Sequence, residues 1–572
     1  MINKDSHYEK KLAQRLVNLF QSSDYDEETS WNSHKDNWDM FYELSPLRKN
    51  IFNWGVFDHE KACNVLELGS GYGAITGSLS NSESIKSITC VEQNRLKYEV
   101  AKVRHQKNNS KINFVNLDIF DFKTETEYDY VLVVGEFKYA GLNNEYKEPY
   151  EAFLKHAASF LKPNGKLVLA IENQLGHKYL AGGKEDYYQK PYVGISGYKL
   201  NEGIRTFTKN DLVKMLKGLG LSHQKFYYPF PDFKMPTVIL SDKCFKNNFF
   251  DWLAVIDFPS REYPVQSMFN FDEGAFLSML HKNVDLSVFM NSFLIFASKE
   301  EFLAPQPDML AAKLNTDRHP NYRTTKKFVE IDKDKIEVVE HQLDDNSKVI
   351  TKYHTRTKNL GDEIVDAIVS ENPKKLKKCI GIWQDLLRER IVVRTAKTST
   401  INKLWKSKQN NLKFNFYPDS NVYVDSHALD LIPNNILIEK DNYHIIDLEW
   451  TVPCDLLPID LILDRGIYWH VIKSLRLLGK IGAPIINGQW NVPESIQSVL
   501  PIQDPQSLDV FEKWFQYYAY ESQETAYEKL PDFIANQQRF SLKKQLKSIV
   551  KKMINRFKKS PKIVKIARLI AE

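Results

Sequence analysis

The first half of the chain predicts an α/β fold built on an open, mostly parallel sheet, and the second half predicts a smaller α+β domain. Three observations carry this. Short apolar runs at Val65–Leu68, Ile88–Val91, Ile112–Val115, 128–136 and 166–172 alternate with stretches of helical period. The first run ends in three closely spaced glycines, Gly69, Gly71 and Gly73. Beyond residue 323 the apolar runs draw closer together and alternate, as antiparallel strands do.

The length of 572 residues allows several domains, and 42% apolar with 26% charged residues is an ordinary globular composition. No run of 18 apolar residues occurs, and the first residues lack the apolar core of a signal peptide, so a cytoplasmic protein is expected. Five cysteines without C-x-x-C spacing read as free thiols and exclude a Cys-based zinc site. The net charge of +5 is uneven, because residues 541–572 hold eleven Lys or Arg and one acid, Glu572.

In chain order, residues 1–55 read as a helical cover rich in aromatics, among them Trp38, Phe41 and Tyr42. These either close over a ligand cleft or simply pack a helix against the sheet. The segment Val65 to Thr76, V-L-E-L-G-S-G-Y-G-A-I-T, then predicts a buried strand, a tight turn and a helix N-terminus. Glycines there permit conformations and close ligand approach that a Cβ would hinder. The second strand ends at Glu92, the third leads to Asp118 and Ile119, and the fourth ends at Glu136, all on one edge of the sheet.

These motifs together resemble a class I S-adenosylmethionine (SAM)-dependent methyltransferase, its acidic glycine loop standing here as Glu67-L-G-S-G-Y-Gly73. The resemblance spans about residues 40 to 300 and implies a Rossmann-like, seven-stranded methyltransferase sheet over residues 56–300. It implies SAM as cofactor, with Glu67, Gly69, Gly71 and Gly73 around the methionine part, Glu92 on the ribose, and Asp118 and Ile119 beside the adenine. The glycine spacing departs from G-x-G-x-x-G, which argues against a dinucleotide.

The loops after the fourth and fifth strands are where an acceptor is expected. Glu136 and His177 are the candidate catalytic bases there. His177, Lys178, Lys184, Glu185 and Asp186 read as too polar for core packing, so the loop either covers a polar acceptor or is a solvated loop without a role. Thr208 is placed to cap a helix carrying Leu212, Met215 and Leu216. An aromatic-rich insertion at about 241–287 interrupts what should be a hairpin of the last two strands, and reads as a lid. The block from G-G-K-E-D to P-F-P-D-F-K is similar to methyltransferases of surface-polysaccharide assembly. That similarity implies a cell-envelope polysaccharide or lipid-linked glycan, methylated on a sugar hydroxyl or sugar phosphate.

Residues 301–322 read as a linker, and 323–540 as a second domain. Within it, A428-L-D-L-I-P-N-N-I-L through H-I-I-D-L-E-W450 predicts a hairpin that brings Asp430, Asn435 and Asp447 to one end. This stretch resembles the catalytic loop and metal-binding segment of protein kinases and aminoglycoside-type phosphotransferases. The resemblance implies Asp430 as catalytic base, Asn435 and Asp447 as Mg2+ ligands, and ATP as a second cofactor. Lys352 is the candidate nucleotide lysine, with Glu363 as its partner. The departures are Ala428 two positions before Asp430, Leu448-Glu449 after Asp447, and no glycine-rich phosphate loop. An active kinase, a kinase-like fold without catalysis and an ordinary hairpin all fit. The domain order also resembles bifunctional kinase-methyltransferases that terminate O-polysaccharide (O-antigen) chains.

From Leu542, the residues Leu546, Ile549, Met553 and Phe557 recur at helical period among lysines, giving a basic amphipathic tail over 541–572. Such a helix suits an anionic membrane surface, peripheral on the inner face of the cytoplasmic membrane, or a partner protein such as a glycosyltransferase, and a plain solvated terminal helix is the third reading. Nucleic acid is disfavoured, because no aromatic stacking platform accompanies the charge. An RNA methyltransferase with a non-catalytic appendage is the remaining alternative.

Overall fold

The computed structural model describes residues 6–27, 30–34, 37–106, 110–143, 145–199, 203–247, 250–258, 260–262, 269–281, 283–318, 322–332, 335–343, 349–355, 359–394, 417, 419–439, 442–446, 448, 450, 452, 456–480, 485–486, 489–490, 494–499 and 504–520. The chain divides into two compact units: Met1–Glu273 with Leu280–Thr355, and Gly274–Met279 with Arg356–Glu572.

The first unit is built on one 12-stranded sheet. Its strands are β1 (Cys63–Leu68), β2 (Ile85–Val91), β3 (Ile112–Val115), β4 (Tyr128–Val134), β5 (Leu161–Glu172), β6 (His223–Phe230), β7 (Val238–Ser241), β8 (Ser292–Ser298), β9 (Met309–Asn315), β10 (Thr324–Asp332), β11 (Lys335–Gln342) and β12 (Val349–Thr355). The order is β12-β11-β10-β9-β7-β6-β8-β5-β4-β1-β2-β3. Strands β3, β2, β1, β4 and β5 are parallel, and β8 runs antiparallel between β5 and β6. Central strands covered on both faces read as continuous apolar runs, as in Val131–Leu132–Val133 and Leu167–Val168–Leu169, all fully buried. The β6–β8 pairing joins the strands on either side of the inserted segment. That insertion holds short helices at Asp242–Lys246 and Trp252–Val255, while Gly274–Met279 of the helix Glu273–Leu280 is counted with the second unit.

Two boundaries differ from the sequence reading. Residues 301–322 are no linker, because they contain β9, which pairs with β7 and β10 and buries Met309, Leu310, Ala311, Ala312 and Leu314. The two alanines gave it no visible alternation. The strands from 324 to 355, assigned to the second domain, are antiparallel as expected but extend the first sheet. The boundary therefore moves from 323 to about 356.

N-terminal helices α1 (Ser6–Gln21) and α2 (Trp38–Leu44) share one core with the glycine loop. Ala13, Leu16, Phe20, Met40 and Phe41 pack with Tyr72 and Val100. Tyr72 stands between Gly71 and Gly73, so the N-terminal segment covers this loop.

The second unit has its own core, in which Leu360, Ile364, Ile380, Trp383, Leu461 and Phe511 are buried. Helices Leu360–Val369 and Pro373–Arg388 begin at Asn359 and Asn372, whose side chains accept from Asp362 N and Lys375 N. A hairpin of Ile436–Glu439 and Asn442–Ile445 follows. Among the described residues no helix is long and apolar enough to cross a membrane. The expected tail at 541–572 and Asp447 lie outside the described residues.

Candidate active site

Strand β1 delivers the chain to a loop that only glycine builds cheaply. Gly69, Gly71 and Gly73 have φ of +81°, +58° and +75°. A Cβ on Gly69 would meet Glu136 Cγ at 2.8 Å, whereas one on Gly71 would stand in open space with nothing within 4 Å. The loop thus presses against one carboxylate and leaves a cradle beside another. Glu92, at the end of β2, accepts the Gly71 N–H through Oε2 and the Asn94 N–H through Oε1, both at 2.8 Å. Asn94 in turn caps the helix Arg95–Arg104 and binds Glu9 of α1 through Nδ2 at 3.1 Å.

Glu67 is buried beneath the loop and accepts the Thr76 hydroxyl at 2.6 Å. Burial raises its pKa to about 7 against the pull of Thr76 and Cys90. Glu136, after β4, is also raised to about 7, first by burial and then by the nearby charge of Glu92. Asp118 is exposed and accepts the Phe120 N–H at 2.9 Å, while Ile119 is buried with its carbonyl on His156 Nε2. Gly69, Gly71, Gly73, Glu92, Asp118 and Ile119 therefore border the carboxyl edge of β1, β2, β3 and β4, with Glu67 buried beneath it.

Residues 55–184 match the family model described as the methyltransferase small domain. The ubiquinone biosynthesis O-methyltransferase of Rickettsia typhi is 25% identical over 118 residues, which are 21% of this chain and 44% of that protein. The chain thus spans less than half the length of this curated relative. Among solved structures, the N-methyltransferase NodS of Bradyrhizobium japonicum is similar at 21% identity, with 23% of this chain and 71% of that one covered and a TM-score of 0.20. The CcbJ methyltransferase of Streptomyces caelestis is similar at 20% identity, covering 27% and 61%, with a TM-score of 0.22. Residues 55–184 of the first unit thus carry a methyltransferase domain.

In this methyltransferase domain His177 takes a place that the sequence did not reveal. It is fully buried, stacked on Phe230 at 5.9 Å, with Nδ1 2.7 Å from the equally buried Glu273. Enclosed in this way, it cannot reach an acceptor in the cleft, so its assignment as catalytic base is corrected. The signal that misled was a polar loop; the ring is held by aromatics from distant parts of the chain.

The loop charges have partners instead. Glu172, at the end of β5, lies between Lys138 Nζ at 2.7 Å and Lys234 Nζ at 2.9 Å. Lys234 also faces Asp186 at 3.1 Å, and Lys178 faces Asp232 at 3.1 Å. Three lysines and three carboxylates thus neutralise one another. Lys138 is held above the usual lysine range, with Glu172 overcoming the effect of burial, and Asp186 is held far below the carboxylate range by Lys178 and Lys234 against the same effect. Glu172 Oε2 is buried without a hydrogen-bond partner. Lys138, Asp232 and Lys234 were not singled out by the sequence reading; Lys138 stands two residues after Glu136, and the other two lie in the P-F-P-D-F-K block.

In the second unit Asp430 is buried. Its carboxylate accepts the Trp450 N–H at 3.1 Å and lies 3.8 Å from Arg465, which also pairs with Glu512. Asn435 Nδ2 donates to the Asp430 carbonyl at 2.9 Å. A carboxylate so enclosed is occupied by its own fold, unlike an open base. Glu363, expected to partner Lys352, pairs with Lys375 at 2.7 Å. The backbone of Lys352 lies in β12, and its side chain lies outside the described residues. Among the described residues no group of three His, Cys, Asp or Glu forms a metal site.

Proposed function

We propose that the chain is a SAM-dependent methyltransferase acting on a cell-envelope polysaccharide or lipid-linked glycan, at a sugar hydroxyl or a sugar phosphate. The observation that supports methyl transfer is the cradle at Gly71, open where a side chain would stand and edged by Glu92 and Glu136. Such a cradle fits the amino-acid and ribose parts of the cofactor. When bound, the cofactor supplies a methyl group on a sulfonium centre. Gly69 to Gly73 would hold its methionine part, Glu92 its ribose, and Asp118 and Ile119 its adenine. Positioning and exclusion of water supply most of the rate in such a displacement. The covering helices that pack on Tyr72 serve that exclusion.

Glu136 is the residue that would take a proton from a hydroxyl acceptor, its carboxyl tuned to about 7. A phosphate acceptor is already anionic and needs no base; Lys138 and Lys234 lie at the same edge but are paired with Glu172. The glycan reading rests on the sequence resemblance, and the tyrosine-rich loop of residues 173–206 supports it.

A second reading, in which the second unit is an ATP- and Mg2+-dependent kinase that phosphorylates the glycan terminus first, is favoured by one observation: Asn435 bound to the Asp430 carbonyl. Transfer of labelled methyl to a lipid-linked glycan extract, with and without ATP and Mg2+, tests both readings. Incorporation without ATP, unchanged in Asp447→Ala, is expected of the methyltransferase alone. Incorporation that requires ATP and vanishes in Asp447→Ala would replace it with the two-activity reading, and absence of label would sink the glycan acceptor.

A further inference from the structure

Residues 203–207, which lead into the helix Lys209–Gly218, are held in place by hydrogen bonds from several parts of the first unit. Phe207 bridges Asn173 in parallel register, one residue past Glu172. The Arg205 N–H donates to the Lys138 carbonyl at 3.3 Å. Three phenols close on the same stretch: Tyr150 OH donates to Gly203 O at 3.1 Å, Tyr188 OH donates to Ile204 O at 2.9 Å, and Tyr198 OH shares a hydrogen bond with Thr206 Oγ1 at 2.7 Å. Gly203 lies so near the turn after Glu136 that a Cβ on it would meet Gly141 O at 2.6 Å. The segment thus joins the carboxyl edge of β4 and β5, where open α/β sheets receive ligands. One side chain in it is left without a counter-charge. Arg205 is half-buried, its guanidinium lies over the Phe207 ring at 4.8 Å, and its Nε is buried without a hydrogen-bond partner. Among the described residues no carboxylate pairs with it. Arg48 and Arg104, elsewhere in this unit, pair with Glu43 and Glu27, and the neighbouring Lys138, Lys178 and Lys234 are neutralised by Glu172, Asp232 and Asp186.

We infer that Arg205 binds a phosphate group carried by the acceptor, which makes the acceptor a phosphorylated glycan rather than a neutral one. The inference rests on the glycan reading above and deepens it. A partly desolvated guanidinium without a carboxylate lacks the anion that such groups ordinarily hold. Its planar fork matches two phosphate oxygens, and stacking on Phe207 fixes that plane before a ligand arrives. The anchored backbone of residues 203–207 adds to this preorganisation, so little ordering is left for binding to cost. A phosphomonoester carries nearly two charges at pH 7 where a carboxylate carries one, which favours the phosphate. The buried lysines and carboxylates nearby cancel one another, so the attraction for an arriving anion comes from Arg205. A half-buried side chain meets that anion from the solvent side, and no enclosed cavity is required.

Saturation-transfer NMR of the full chain with mannose 6-phosphate, methyl mannoside and glucuronate tests it. Mannose 6-phosphate should receive saturation in preference to the other two. Arg205→Gln should weaken it about tenfold, and Arg205→Lys, which keeps the charge and loses the fork, should fall between. Calorimetric binding of S-adenosylhomocysteine should be equal in all three proteins, which reports the fold. No binding of mannose 6-phosphate, equal binding of the neutral glycoside, preference for glucuronate, or indifference to Arg205→Gln would each overturn the site. If a phosphatase-treated glycan extract still takes label in that case, the glycan acceptor stands without the phosphate. Phosphate binding lost in Arg205→Gln, but with no methyl transfer to any glycan, would instead sink the function and leave an anion site of another purpose.

Discussion

Glu136 shows how one side chain acquires a role from its surroundings. Burial and the neighbouring Glu92 place its proton loss near pH 7, so it is mostly neutral below that and anionic above. If it serves a hydroxyl acceptor, kcat/KM should rise with pH through about 7, and Glu136→Gln should remove that inflection and cost about 100-fold. A pH profile of methyl transfer checks this, and an unaffected variant would point to a phosphate acceptor. The same raised pKa values bear on stability. Glu67 and Glu136 both bind protons more tightly folded than unfolded, so their contribution is full below the unfolded carboxylate range and is lost as pH rises through about 7. The melting temperature of the cofactor-free protein should therefore fall between pH 5 and 8, and less steeply in Glu67→Gln. Asp430 makes the contrasting case. Its carboxylate helps neutralise the buried Arg465, so Asp430→Asn should cost about 2 kcal/mol of stability in denaturant unfolding, while Glu512 keeps the loss from being larger.

At the scale of elements, the five strands beyond β6 decide where the first unit ends. Strand β7 pairs with β9 through Ile239 and Ala312 and Leu240 and Ala311, all fully buried or nearly so. A fragment ending at residue 300 would leave β7 as a bare apolar edge, which invites aggregation. Expression of residues 1–300 should give insoluble protein, while residues 1–355 should stay soluble and melt cooperatively; equal solubility of the two would show that β9 to β12 are dispensable. The glycine loop, its flanking carboxylates and the Thr208 cap were legible in the sequence, because each is a local pattern of residue types; the structure adds the Asp211 side of a capping box. Strand β9 was not, because Ala311 and Ala312 carry little pattern and acquire meaning only from their neighbours. The pairing of Lys138 with Glu172 was hidden for a similar reason: 34 residues separate partners that two strand ends bring together.

For the molecule as a whole, the two units divide the proposed chemistry. Every residue bordering the cofactor cradle, from Glu9 to Glu136, belongs to the first unit. Residues 1–355 should therefore bind S-adenosylhomocysteine with a Kd within about threefold of the full chain, as measured by calorimetry. A larger loss would show that the second unit contributes to the cofactor site. The sequence by itself determined the alternation of strand and helix and the positions of Glu92 and Glu136 beyond the ends of their strands, because short-range spacing sets each of them. Only the tertiary structure decided that His177 is sealed among aromatics, that the polar loop charges cancel in a buried network, and that β10 to β12 complete the first sheet rather than open a second domain. Those outcomes depend on which distant segments meet, and burial and pairing across long sequence separations leave no local periodicity to read.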